Sequence, residues 1–401
     1  MFNSLKFKVI FFGFIFTFFS SFGQSYFLGL FNSSIRETLS ITHGQFGSIY
    51  ASATLCSSIL LIWVGKKIDD VNVFKFSLFV TILLSFACFF FSKISSVLLL
   101  FIAIFLMRFS GQGMMSHTAS TTISRYFTKT RGRALSISWF GLSSAEFILP
   151  VLMVYLLTLI DWQNLWLIFS ITVLVVLPIA SFLLIKNLNL DSREARDENI
   201  KEAEIKQWRR RDVIQDYRFY IISLNMLAMP WIFTGFAVFQ SFVQTSKGWG
   251  PYVIAQSFMS YSILSVVTLF ISGFLIDKFT SRKLLIFMNI PLLLSVIVLY
   301  YFDSPITAFV FLGLVGISNG FANILGSSTW AELYGVKYIG SIKALTTALM
   351  VFATAFGTAL FGFLIDIGFT IGDISIVSGI YIFISLILLF LIRKRLNPIL
   401  I

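Results

Sequence analysis

The chain has 401 residues, of which 57% are hydrophobic and 12% are charged, and its mean hydropathy is +0.90. A soluble domain carries roughly 25% charged residues, so this composition excludes a water-soluble globular protein and indicates a membrane protein. The net charge of +12 is not accompanied by a basic patch with interleaved aromatic residues, so no nucleic-acid partner is expected. Two cysteines, Cys56 and Cys88, and two histidines, His43 and His117, predict neither a disulfide framework nor a metal or cofactor site.

Twelve segments are long and apolar enough to cross a membrane, which takes about 20 residues of helix. They are predicted at 8–31, 45–64, 74–92, 96–123, 134–159, 163–185, 217–244, 252–276, 284–302, 305–330, 339–365 and 372–392. The first follows Lys6 and Lys8 as a signal peptide would, but it is too long for a signal-peptide core and no cleavage site of small residues follows it. We therefore expect it to be retained, and the predicted fold class is all-α and integral to the membrane.

The basic residues are distributed unevenly over the predicted loops. Of the 30 Lys and Arg residues, 26 precede the first span or lie in every second loop, and Arg36, Lys93 and Lys247 lie on the other side. Cytoplasmic loops carry an excess of Lys and Arg. The sequence therefore predicts that both termini and the segment 186–216 are cytoplasmic, in the cell membrane of a bacterium.

The two halves of the sequence repeat. Gly65 and Asp69, after the second span, match Gly273 and Asp277, after the eighth, with an offset of 208 residues. The pair Gln24-Ser25 in the first span likewise resembles Gln240-Ser241 in the seventh. Many secondary transporters are built from two repeats with a site at the midplane of the membrane. We predict an N-terminal six-helix bundle at 1–186, a cytoplasmic linker at 187–216 and a C-terminal six-helix bundle at 217–401.

The linker is rich in both acidic and basic residues. Its composition indicates a solvated tether between the two bundles. The alternative is a regulatory helix that places Arg209, Arg210 and Arg211 near anionic lipid headgroups.

Several motifs resemble those of the major facilitator superfamily, over essentially the whole chain. The segment Gly65-Lys-Lys-Ile-Asp69 resembles the signature between spans two and three, and Gly273-Phe-Leu-Ile-Asp277 with Arg282 resembles its repeat between spans eight and nine. The segment Arg108-Phe-Ser-Gly111-Gln112-Gly113 resembles the arginine motif of span four. Two more stretches are most similar to bacterial members near the monocarboxylate-transporter-like branch, namely 124–127 with 131–135, and 330–334 with Gly340 and Lys343.

This resemblance implies a secondary active transporter with twelve helices in two bundles. It also implies that spans one, four, seven and ten line a central cavity, and that the two repeated loops bias the change between conformations. The residues with this gating role would be Gly65, Asp69, Gly273, Asp277 and Arg282. Simple helix capping is the alternative for the two aspartates.

Two opposite charges lie deep in the predicted spans. Arg108 and Glu146 are each about 18 Å from one end of their spans, at about 1.5 Å per residue. A buried arginine costs roughly 2.5–3.5 kcal/mol, so it requires a partner or a watery cavity. We predict that Arg108 pairs with Glu146 until a substrate carboxylate displaces it, after which Glu146 takes up a proton. A permanent structural ion pair is the alternative.

Polar side chains in spans one, four, seven and ten complete the candidate site. The predicted substrate-binding residues are Arg108, Gln112, Gln24, Gln240, Asn319 and Asn323. For each amide, the alternative is a hydrogen bond between helices. The predicted function is proton-coupled symport of a small organic anion by a monomer in the lipid bilayer, and a uniporter or exporter of another small molecule is the alternative. A polytopic membrane enzyme is disfavoured because the sequence shows no nucleophile-base pair, and a non-transporting sensor because no soluble domain is added.

Overall fold

The structure is a computed structural model that describes residues 5–127, 131–186, 206–335 and 337–397, without the side chains of Lys66, Asp69, Arg131, Asp277 and Ser327. Within these ranges every regular element is helical. The chain forms two compact units, Met1–Glu198 and Asn199–Ile401. The predicted all-α fold is therefore confirmed for the part of the chain that the structure describes.

The N-terminal unit contains spans one to six. Its α-helices are Leu5–Ser20, Ser25–Gly29, Asn32–Leu39, His43–Val64, Val73–Phe91, Val97–Met107, Ser116–Tyr126, Arg131–Leu156 and Trp162–Ile185. Short 3-10 turns lie at Ser21–Gly23 and Gly65–Asp69, and a π-helix lies at Arg108–Met115.

The C-terminal unit contains spans seven to twelve. Its α-helices are Arg210–Gln215, Tyr217–Val238, Gln240–Ser246, Pro251–Phe279, Ser281–Tyr301, Ile306–Tyr334, Ile339–Asp366 and Ile371–Ile392. A 3-10 turn at Arg393–Arg395 follows the last helix. By length and composition, twelve helical segments among the described residues can cross a membrane, as the hydropathy of the sequence predicts.

The large apolar side chains explain why these helices need lipid around them. Trp63, Phe274 and Leu391 are among many apolar residues that are more than two thirds exposed in the chain by itself. A helix that is apolar all round is typical of a membrane span, because lipid replaces water on its outer face. Inside the protein, small polar side chains such as serine and threonine are buried together with apolar ones.

The first span is interrupted in its second half. The helix that begins at Leu5 ends in the turn Ser21–Gly23, and Gln24 has extended backbone angles before a new helix begins at Ser25. Irregular backbone at membrane depth is tolerated only where the protein itself surrounds it. Here Ser20, Ser21 and Gly23 are buried, so span one breaks inside the bundle rather than in lipid.

A close contact between two glycines explains where span one breaks. A Cβ atom on Gly23 would collide with the carbonyl oxygen of Met107 and the amide nitrogen of Gln112. A Cβ atom on Gly111 would lie 2.6 Å from the amide nitrogen of Gly23. Spans one and four therefore touch backbone to backbone, and span four has its π-helical segment at the same contact.

Span seven has an interruption at the position that the sequence repeat indicates. Phe239 leaves the helical region between Tyr217–Val238 and Gln240–Ser246. The segment predicted as one span, 217–244, is thus two helices. The matching pairs Gln24-Ser25 and Gln240-Ser241 both lie where the helix starts again after a break, so the similarity of the two units extends to their local backbone.

The end of the predicted linker is part of the C-terminal unit. Trp208 and Val213 are buried in the same apolar core as Leu333 and Leu396. The amide of Trp208 also donates a hydrogen bond to the carbonyl oxygen of Tyr334 at 3.0 Å. Residues 206–216 are therefore packed structure rather than a solvated tether, whereas 187–205 lie outside the described residues.

The glycine contact generates a stability prediction. The substitution Gly23→Ala places a methyl group against backbone atoms that cannot rotate away, and overpacking of this kind costs about 1–3 kcal/mol. We expect a lower thermal midpoint for the purified protein, measured by fluorescence-detected size exclusion after heating. The control is Gly250→Ala, because a Cβ atom there meets nothing within 4 Å. Equal midpoints for the two variants would contradict the close contact.

Candidate functional site

Arg108 is buried in the N-terminal unit with 3% of its surface exposed. Its Nη1 atom donates hydrogen bonds to the carbonyl oxygen of Gly23 at 3.0 Å and to Ser25 Oγ at 3.2 Å. The interruption of span one removes Gly23 from a continuous helix and leaves its carbonyl for the guanidinium. The break therefore supplies the partner that a buried charge requires.

Tyr50 of span two completes the surroundings of the guanidinium. Its ring centre lies 5.4 Å from Arg108 Cζ, and its hydroxyl donates to Ser25 Oγ at 3.0 Å. A cation over a tyrosine ring is attracted by the negative face of the ring. Arg108 Nε, by contrast, is buried and has no hydrogen-bond partner among the described residues. Oxygens of span one thus accept the hydrogen bonds of Nη1, whereas the Nε donor has no acceptor among the described residues.

Glu146 of span five is also buried, with 8% of its surface exposed. No Lys, Arg or His nitrogen of the described residues lies within 4.0 Å of its carboxylate. The predicted Arg108–Glu146 ion pair is therefore wrong for this conformation. The physical reason is that neutral oxygens of Gly23 and Ser25 take the place that the carboxylate was expected to fill.

Gln24 and Gln112 both lie at the contact that holds Arg108. Gln24 forms the break in span one, and Gln112 is in the π-helical segment whose backbone faces Gly23. A π-helical segment is common at functional sites because it turns side chains away from regular helical spacing. The structure thus brings together three of the six predicted substrate-binding residues, Arg108, Gln24 and Gln112.

The C-terminal unit has a cavity of about 320 Å³ of its own. Residues of spans seven, nine, ten and eleven line it, and these include the predicted residues Asn319 and Asn323. Asn319 Nδ2 donates to Ser265 Oγ of span eight at 2.9 Å, so this amide also joins two helices. Gln240 does not line the cavity, and its Nε2 atom donates to the carbonyl oxygen of Ala237 at 3.0 Å.

The first repeated loop is held by span four. His117 Nε2 lies 3.0 Å from the carbonyl oxygen of Gly65, and Arg125 Nη1 donates to the carbonyl oxygen of Ile68 at 3.0 Å. The side chain of Asp69 lies outside the described residues. Span four therefore carries Arg108 in its middle and fixes this loop at its end.

The second repeated loop is held by Glu332 at the end of span ten. Glu332 accepts the amide of Ser281, at the start of span nine, at 2.9 Å, and it forms an ion pair with Arg282 at 3.3 Å. Arg282 also donates to the carbonyl oxygen of Leu396 at 2.8 Å. A Cβ atom on Gly273 would be in van der Waals contact with Ile324 Cδ1, at 3.9 Å, and the side chain of Asp277 lies outside the described residues.

Glu332 and Asp216 are two charged residues that the sequence did not single out. Asp216 forms an ion pair with Arg218 at 2.8 Å and accepts the Tyr334 hydroxyl at 3.1 Å. Arg218 also donates to the carbonyl oxygen of Asn397 at 2.9 Å. The signal for Glu332 was its place in the family-like stretch 330–334, but its position near a span end suggested only a loop contact.

The comparisons with known proteins agree with this architecture. The sequence matches the Major Facilitator Superfamily over residues 13–358. No curated protein matches the sequence. A bacterial homolog of the human lysosomal transporter Spinster, in an inward-facing and unoccupied conformation, is similar in structure at 14% identity, with a TM-score of 0.74 and 98% of each chain covered. The nucleoside transporter NupG is similar at 15% identity, with a TM-score of 0.70, covering 98% of this chain and 99% of its own.

These matches and the twelve-helix fold define a membrane transporter for a small solute and not an enzyme. The chain belongs to the major facilitator superfamily. Its structural neighbours at this identity support the fold and leave the predicted monocarboxylate-transporter-like branch unconfirmed.

The Arg282–Glu332 ion pair generates a kinetic prediction. In Glu332→Gln the amide oxygen can still accept the Ser281 amide, but the charge opposite Arg282 is lost. If the loop biases the conformational change, the maximal transport rate falls by roughly fivefold, the factor that corresponds to about 1 kcal/mol, with little change in KM. Transport in proteoliposomes measures both quantities.

The control for this experiment is Asp303→Asn. Asp303 pairs with Lys247 in the same unit, but it is largely exposed, and neither residue belongs to a repeated loop. We expect its maximal rate to stay near that of the unmodified protein. A normal maximal rate in Glu332→Gln would show that this ion pair has no part in turnover.

Proposed function

We propose that this transporter moves a small organic anion together with a proton. The observation that supports the proposal is the state of its two buried charges. Among the described residues, neutral oxygens are the hydrogen-bond partners of Arg108, and no cation lies within 4.0 Å of the Glu146 carboxylate. Two opposite charges that are buried and separate are each available for a ligand, one for an anion and one for a proton.

Arg108 would bind the substrate carboxylate without releasing span one. Its Nη1 atom is occupied by Gly23 and Ser25, whereas Nε has no partner among the described residues. A guanidinium binds a carboxylate best through two parallel hydrogen bonds. A substrate that used Nε and the neighbouring Nη2 would satisfy a buried donor that is otherwise costly to leave unpaired.

Glu146 would carry the proton. A buried carboxyl group without a cation favours its neutral form, because burial disfavours the charged form. Carrying an anion alone would move charge against the membrane potential, whereas a monoanion with one proton crosses without net charge.

The remaining predicted residues have supporting roles in this proposal. Gln24, Gln112, Gln240, Asn319 and Asn323 would contribute hydrogen bonds to the substrate. The repeated loops, with Gly65, Asp69, Gly273, Asp277 and Arg282, would bias the exchange between conformations. The support for gating is that each loop is held by the C-terminal part of a neighbouring span, through His117 and Arg125 in one unit and Glu332 in the other.

We also propose that both termini are cytoplasmic in a bacterial cell membrane and that the monomer is active. The support is the placement of 26 of 30 Lys and Arg residues on one side. The stretches 124–127 and 330–334 support a monocarboxylate as the anion, through their resemblance to that branch of the superfamily. A uniporter or an exporter on the same fold is the alternative, and it requires no proton at Glu146.

The substitution Glu146→Gln separates symport from the alternative. We expect the variant to lose proton-driven accumulation of labelled monocarboxylates in proteoliposomes, because a glutamine cannot take up the coupling proton. Counterflow exchange should survive, because it needs binding and the conformational change but no net proton movement. Empty liposomes correct for passive permeation of the acids.

The matched control is Glu37→Gln, which neutralises an exposed acid in the same unit. It should accumulate substrate as the unmodified protein does. Undiminished accumulation in Glu146→Gln would remove Glu146 as the proton carrier and leave facilitated transport as the better account.

A further inference from the structure

We infer that the cavity of the C-terminal unit binds the apolar body of an amphipathic monocarboxylate, and this inference rests on the proposed transport of organic anions. The cavity has a volume of about 320 Å³, which suits a small molecule. It lies wholly among residues of one unit, 223–350. The chemistry of the cavity therefore depends on residues of this unit alone.

The walls of the cavity are apolar and adaptable. Four of the ten methionines of the chain line it, namely Met226, Met229, Met288 and Met350. Methionine has a flexible, polarisable side chain that fits apolar ligands of varied shape. A concentration of methionines on one cavity wall favours hydrocarbon or aromatic groups over a single polar shape.

Aromatic residues give the cavity its fixed surfaces. The ring of Phe233 stacks on Tyr261 with centres 4.9 Å apart, and the ring of Trp330 stacks on Tyr334 at 6.0 Å. Both Phe233 and Trp330 line the cavity. These rings are held by neighbours outside the cavity, so they offer flat apolar faces that do not collapse into it.

The described lining includes six polar residues, and only one of them is charged. They are Ser223, Asn319, Asn323, Lys343, Thr346 and Thr347. Lys343 is the one charged residue among the described lining residues, and it forms no ion pair with a described residue. Ser223 lines the same cavity, is 7% exposed, and its hydroxyl has no hydrogen-bond partner among the described residues. A cation and an unsatisfied hydroxyl in the lining favour an anionic ligand over a neutral one.

The same lining disfavours polar solutes. A polyhydroxylated acid would have more hydroxyl groups than the two asparagines and two threonines of the lining can satisfy, and the rest would lie against methionine and leucine. Each buried hydroxyl without a partner weakens binding. An apolar body gains instead, by about fourfold in affinity for each methylene buried. Carboxylates with an aromatic or hydrocarbon body should therefore bind, and sugar acids of the same charge should not.

Gly326 allows this cavity to be filled without damage to the fold. It lies in span ten on the cavity wall, and a Cβ atom there meets nothing within 4 Å. The substitution Gly326→Leu therefore adds a side chain into open space. Leucine also favours a helix over glycine, so the variant should fold at least as well as the unmodified protein.

The matched control is Gly250→Leu. Gly250 is exposed, has an extended backbone with φ of −65°, and likewise has no neighbour within 4 Å of an added Cβ atom. It precedes span eight and does not line the cavity. The two variants add the same side chain in open space at different places in one unit.

Binding to the full chain in lipid nanodiscs tests the inference by calorimetry, with empty nanodiscs subtracted. The probes are 3-phenylpropionate, its neutral amide, and gluconate. We expect 3-phenylpropionate to bind, the amide to bind more weakly, and gluconate to give no signal. Gly326→Leu should weaken binding of 3-phenylpropionate at least tenfold, and Gly250→Leu should leave it unchanged.

The role of the cation is tested by Lys343→Gln, which should reduce the preference for the acid over the amide, and an unchanged preference would contradict that role. Absence of 3-phenylpropionate binding, equal binding of gluconate, or normal binding to Gly326→Leu would each overturn the inference. No proton gradient enters this experiment. Failure here would therefore leave the result of Glu146→Gln standing, and failure of proton coupling would leave the binding result standing.

Discussion

The hydrogen bonds between Arg108 and the broken first span are the interaction on which the N-terminal unit depends. In a membrane, a buried guanidinium and a carbonyl outside a continuous helix each need a partner. Gly23 and Ser25 supply acceptor oxygens to Arg108, and Arg108 in return donates a hydrogen bond to the Gly23 carbonyl at the break. Gly23 and Gly111 make the contact possible, because only glycines let the two backbones touch here. These hydrogen bonds thus satisfy both the guanidinium of Arg108 and the carbonyl oxygen of Gly23, each of which would be costly to bury without a partner.

This arrangement has a consequence for transport. Neutral oxygens of span one, and not Glu146, are the hydrogen-bond partners of Arg108. In the proposed mechanism the two charges therefore serve different ligands, an anion and a proton. The C-terminal unit repeats the break in span seven without repeating the arginine, and it has an apolar cavity instead. The two repeats therefore share the break in the first span of each unit and differ in chemistry: one has a buried arginine at the break, and the other has a mostly apolar cavity with one lysine in its described lining.

The sequence predicted the twelve spans, because a run of about 20 apolar residues leaves few alternatives to a membrane helix. It did not predict the Arg108–Glu146 separation, because counting residues gives depth along a helix but not the direction in which each side chain points. The break at Gln24 was missed because a glycine within an apolar run is compatible with a continuous helix. Glu332 was passed over because an acid near a span end looks like a loop residue. The methionines of the cavity resembled core residues, since apolar side chains in a sequence do not reveal whether they face protein or empty space.

The most direct test of the central claim is to measure proton and anion movement together in the same proteoliposomes. Labelled monocarboxylate reports the anion, an internal pH-sensitive dye reports the proton, and potassium with valinomycin sets the membrane potential. The account predicts that one proton enters with each monoanion and that the rate does not change with membrane potential. Anion uptake without proton entry, or uptake that follows the membrane potential, would contradict it.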